Sequence, residues 1–207
     1  MTPDDIQKLF TRADGQYLCA RWARPISPVV FGVDEATLSV VKGAVEAVVA
    51  LAGHKMAETD PELGANLMVF FFRDWAELPE VPNLDRLIPD LGPLCTRLEA
   101  AEANQYRIFR FDADGGIKAC FVFVRMDAHL RAVPAEVLAL NQAVQAILLW
   151  SDKAFMDQSP LGEAGSTVIL RPEIGDVIRA VYDPVMPVVA RDASHALRIS
   201  ARIGAKQ

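Results

Sequence analysis

The chain has 207 residues, 52% of them hydrophobic and 23% charged, with a formal net charge of -6. That apolar share is enough for a substantial core and excludes a disordered polar chain, and the length suits one domain over 1–207. The acidic balance, with no run of five like charges, argues against a nucleic-acid partner, whose phosphates require clustered Lys and Arg.

Thr2, Pro3, Asp4 and Asp5 have the form of an N-cap followed by proline and first-turn acids, which predicts a short helix over 3–13, a peripheral element within 1–15. The same residues put acids where a secretory signal needs positive charge and lack its apolar stretch, so the expected location is cytoplasmic. PVVFGV, 28–33, reads as a strand. Asp34 then caps a helix over 35–52 that stops at Gly53. The apolar stretch within it is interrupted by Lys42 and Glu46 and is too short to cross a membrane.

NLMVFFFR, 66–73, is a continuous apolar run of strand length, as in a central strand covered on both faces. Pro79, Pro82, Pro89 and Pro93 break the next segment into short helices, the last over about 94–103. QYRIFRFD (105–112) and IKACFVFVRM (117–126) flank Asp-Gly-Gly, a strong hairpin signal because these residues tolerate the positive φ of tight turns. EVLALNQAVQAILLWSDKAF, 136–155, reads as one long helix begun by Pro134. PLGEAGST is expected to be a loop, RPEIGDVIRAVYDP a helix from Pro172 that ends before Pro184, and 190–207 a last short helix and tail. This order of partly segregated helices and strands predicts an α+β fold, with packed helices on a small mixed or antiparallel sheet. No glycine-rich phosphate loop suggests a nucleotide fold.

The chemistry-bearing residues are few. Cys19, Cys95 and Cys120 are odd in number, widely spaced and without a CxxC pair, so they read as buried thiols. His54, His129 and His195 are scattered and form no HExxH; His129, close in sequence to Asp127 and Arg131, is the one candidate acid or base. Trp22, Trp75 and Trp150 read as core or interface anchors. On the long helix, at about 100° per residue, Gln145 falls about 40° and Asp152 about 20° from Asn141, with Gln142 near 100°. One narrow polar stripe would then run down the helix, facing water, making buried amide hydrogen bonds or lining a cleft. Tyr182 reads as a helix end that also has a hydroxyl to offer a cleft.

A hairpin followed by a helix with amides at Asn141, Gln142 and Gln145 and then Asp152 resembles a family of uncharacterised bacterial zincin-like proteins related to metallopeptidases, whose helix carries Glu-Glu-x-x-Gln and, shortly after, Asn-Asp. RWARPISPVVFGV, 21–33, resembles that family's Trp-containing first strand, and ILRPEIGDVIRAVYDPVMP its later helix ending in Tyr-Asp-Pro, here Tyr182, Asp183 and Pro184. The resemblance spans about 20–190 and implies a zincin-like fold. Its two glutamates fall on Asn141 and Gln142, and amides neither titrate near neutral pH nor bind zinc well, so the resemblance implies a degenerate member without metal or cofactor. The favoured expectation is therefore a catalytically inactive domain that binds a protein, peptide or small molecule in the old cleft, with Asn141, Gln142, Gln145, Asp152, His129 and Tyr182 as candidate lining. The alternatives are a hydrolase with a rearranged site around His129, Gln145 and Asp152, and a homodimeric structural module.

Overall fold

A computed structural model describes residues 1–205; the expected tail at 206–207 lies outside the described residues. In chain order the elements are α1 (Pro3–Phe10), β1 (Cys19–Ala20), β2 (Pro28–Phe31), α2 (Glu35–Leu51), β3 (Leu67–Phe72), a 3₁₀ turn (Trp75–Glu80), α3 (Leu84–Leu87), α4 (Leu91–Ala100), β4 (Gln105–Phe111), β5 (Ile117–Arg125), a short 3₁₀ turn (Leu130–Ala132), α5 (Ala135–Ile147), β6 (Leu161–Ala164), β7 (Thr167–Leu170), α6 (Pro172–Val181), β8 (Val189–Ala190) and α7 (Ser194–Gly204). The class is α+β. Among the described residues no helix is long and apolar enough to cross a membrane.

The main sheet has the order β2-β3-β5-β4, with β2, β3 and β5 parallel and β4 antiparallel to β5. All six residues of β3 are buried, as its unbroken apolar run predicts, because side chains alternate between two covered faces. Leu67, Val69 and Phe71 face a layer built from α2 and α5, with α1, α6 and α7 beyond it. Met68, Phe70 and Phe72 face the 3₁₀ turn, α3 and α4, where Trp75, Leu78, Leu91, Cys95 and Leu98 pack. On that second face Phe31, Phe70 and Phe123 stack from strand to strand, with ring centroids 4.8 and 5.3 Å apart. The three cysteines are buried and free, Cys95 in the second layer and Cys19 and Cys120 in the first.

Local signals account for several element ends. Thr2 and Asp5 complete a capping box on α1, and the Asp34 side chain accepts from the Thr37 N–H to start α2. The β4–β5 turn is ordered by Asp112, whose Oδ1 accepts from the N–H groups of Asp114 and Gly116, while Gly115 takes a φ of 86°. Gly32 leaves β2 at a φ of 81°, and a Cβ there would lie 1.9 Å from the Phe71 carbonyl oxygen, so only glycine fits.

Five expectations need correction. The helix predicted over 136–155 stops at Ile147: Leu148 is extended, pairs with Arg21, and is followed by Leu149, whose N–H donates to the Ala20 carbonyl. PLGEAGST is no loop but the turn and first strand of a β6–β7 hairpin that packs on α5. The helix expected over 94–103 begins at Leu91, where Asp90 takes a left-handed conformation, and the last helix begins at Ser194 instead of 190, because Val189–Ala190 pair with Cys19–Ala20 as strands. The helix at 3–13 ends at Phe10, and α1 packs against α7.

Candidate functional site

The end of α5 explains why its polar residues do not form one stripe. A helix leaves its last carbonyls without intrahelical partners. Here three aromatic side chains supply partners for three of the last four. The Trp150 indole N–H donates to Val144 O at 2.8 Å, the Trp22 indole N–H to Ala146 O at 2.9 Å, and the Tyr182 hydroxyl to Ile147 O at 2.8 Å. The Trp22 backbone N–H donates in turn to the Tyr182 oxygen at 3.3 Å. Burial raises the Tyr182 hydroxyl above its ordinary range, the Arg21 guanidinium lies 5.3 Å from its ring centroid, and the residue lies outside the groove and the two cavities described below.

Asp152, one turn past the helix, is likewise a structural acceptor. Its Oδ1 takes the Ala13 N–H at 2.9 Å and the Ser151 hydroxyl at 3.3 Å. Burial pushes its pKa up, but the Ala13 amide and Arg12 outweigh it and hold the carboxyl below its usual value. Gln142 is buried against the sheet, where its Nε2 donates to Gln105 Oε1 at 2.8 Å and its Oε1 accepts from Arg107. Gln145 donates to Asn141 Oδ1 at 2.8 Å, a local pair one turn apart.

Of the predicted residues the fold brings His129 and Asn141 to one groove, of about 310 Å³, between the start of α5 and the β6–β7 hairpin. Its floor is apolar: Leu130, Val133, Val137, Leu138, Leu161 and Val168. Its polar groups are Gln105, His129, Asn141, Ser159 and Glu163. Gln105, Ser159 and Glu163 were not singled out in the sequence; they come from three separate segments, and only the polarity of β4's alternating pattern hinted at the first. Among the described residues no three His, Cys, Asp or Glu side chains converge in a way that would hold a metal.

Two further cavities adjoin the helical layers. One of about 330 Å³ lies beyond the carboxyl ends of β2, β3 and β5, between the starts of α2 and α5, lined by Gly32, Asp34, Phe71, Met126 and Arg131 among others, and shares Val133 and Leu138 with the groove. The larger, about 690 Å³, is an open cleft between α1, the 153–159 segment and the start of α6, with cations and acids mixed along its walls. The buried Asp60 and Asn66 serve the fold at the opposite end of the sheet. Asn66 bridges the Ser27 N–H, the Pro25 carbonyl and Asp60, whose other oxygen accepts from the Glu62 and Leu63 N–H groups.

Comparison with family models, with curated proteins and with solved structures finds no match to this chain.

Proposed function

We propose that this is a binding protein that holds a small molecule in the groove between α5 and the β6–β7 hairpin, on a scaffold resembling that of zincin-like metallopeptidases with the helix acids replaced by Asn141 and Gln142. The observation that carries this reading is the groove itself, where polar groups from β4, the 130 turn, α5 and the hairpin converge over an apolar floor, the usual make-up of a small-molecule site. A rearranged hydrolase around His129, Gln145 and Asp152 has less support. Asp152 is committed to the Ala13 amide and Gln145 to Asn141, and His129 makes no side-chain hydrogen bond to either.

The test is a fragment screen on isotope-labelled protein, read by amide chemical shifts. Perturbations clustered at Gln105, His129, Asn141 and Gly162 are expected. Hits that perturb only the other two cavities would overturn the assignment, and so would saturable, stoichiometric zinc binding in calorimetry accompanied by peptide hydrolysis.

A further inference from the structure

Arg107 is a half-buried cation with an enclosed Nε, and among the described residues no carboxylate pairs with it. It lies two residues from Gln105 on the same face of β4, about 7 Å along the strand, and reaches toward α5. Its Nη2 donates to the side-chain oxygens of Gln105, at 3.2 Å, and Gln142, while its Nε is buried with no partner. Arg24, Arg171, Arg179 and Arg202 each have a carboxylate within ion-pair distance; among the described residues Arg107 has none. Burial pulls its pKa down to about 10, so it keeps its charge at neutral pH.

A guanidinium partly removed from water, with its Nε enclosed, gains from a nearby acid, because neutral amide oxygens recover only part of the lost hydration. Gln105 connects this cation to the groove. Its oxygen receives Arg107 and Gln142 while its side chain lines the cavity, whose floor is apolar. We propose that the occupant of the groove is a small organic anion, a carboxylate carried on an apolar body, held by the field of Arg107 beside the Gln105 amide. This deepens the binding reading above and rests on it. Glu163, exposed on the hairpin at the groove's rim, opposes such an anion and so supplies a second handle on the same question.

The experiment titrates the intact protein with sodium phenylacetate and with phenylacetamide, which share shape and differ in charge. With roughly 7 Å between Arg107 and a carboxylate seated beside Gln105, an effective dielectric of about 20–40 gives an attraction that changes affinity by roughly tenfold. Phenylacetate is therefore expected to bind at least about tenfold tighter than phenylacetamide, with shifts at Gln105, Asn141 and Gly162. Arg107→Gln should erase that preference, and Glu163→Gln should tighten phenylacetate alone. Should Arg107→Gln fail to fold, Glu163→Gln on the exposed hairpin decides. Equal binding of both probes in the groove would overturn the charge assignment and leave the binding reading standing. Failure of both probes to perturb the groove would overturn the two together.

Discussion

The two ends of α5 are built on opposite plans. At its carboxyl end three of the last four carbonyls are satisfied by the protein itself: two indoles and a phenol, drawn from residues 22, 150 and 182, close the helix inside the core. At its amino end Pro134 offers no side-chain cap, and cavities open on either side of Val133 and Leu138. The comparison teaches that one helix divides its labour along its axis. Its far end fixes the fold and its near end is left free to meet something else, so polar residues a turn or two apart have unrelated jobs.

Substitutions sharpen this contrast. Trp22→Ala should have the largest effect, a loss of about 3–5 kcal/mol in denaturant unfolding, because it removes a fully buried indole and leaves Ala146 O unpaired. A loss below about 1 kcal/mol would refute the capping role. His195 comes next. It is buried, its Nδ1 is bonded to the Tyr17 hydroxyl at 2.9 Å, its Nε2 is without a partner, and burial, with Arg198 nearby, depresses its pKa to about 4. The unfolded chain thus binds this proton more readily. The stability it contributes is complete above the unfolded value near 6.5 and is lost as pH falls toward 4, by up to about 3 kcal/mol. Urea melts across that window should show the slope in the wild type and a flatter one in His195→Phe; parallel slopes would refute it.

Tyr182→Phe should cost about 1–3 kcal/mol by thermal or chemical unfolding, since both the Ile147 carbonyl and the Trp22 amide lose their partner in a dry site. The groove variants Asn141→Ala and Glu163→Gln should stay within about 0.5 kcal/mol of the wild type. A large loss from either would mean that the open end of α5 is as structural as the closed one.

The same division explains what could be read from the sequence. β3, α2 and the Asp-Gly-Gly hairpin announce themselves because the signals are local: a continuous apolar run, an Asp cap, a turn that requires glycine. The end of α5 carries no such signal. Nothing in Leu148, Leu149 or Trp150 forbids helix, and the residues that terminate it lie far away in the chain, so a periodic pattern ran on to 155 and placed Asp152 on a face it never joins. The β6–β7 hairpin was hidden by its polarity, as one short exposed strand of Gly, Glu and Ala resembles a loop. Asn141 was recognisable as a site candidate because it is an amide where a solvated helix face would usually carry Lys or Glu, and His129 because Asp127 and Arg131 lie close to it in sequence. Arg107 was not, since only the fold reveals that no acid among the described residues pairs with it.

Each of the sheet's two covering layers contains its own buried thiol, Cys95 in one and Cys19 with Cys120 in the other. Burial raises all three pKa values, Cys120 to about 12, so an alkylating reagent meets an unreactive protein until a layer opens. Labelling rates followed by peptide mass spectrometry would consequently time the opening of the two layers independently, turning three unremarkable cysteines into native clocks for the order in which the molecule comes apart.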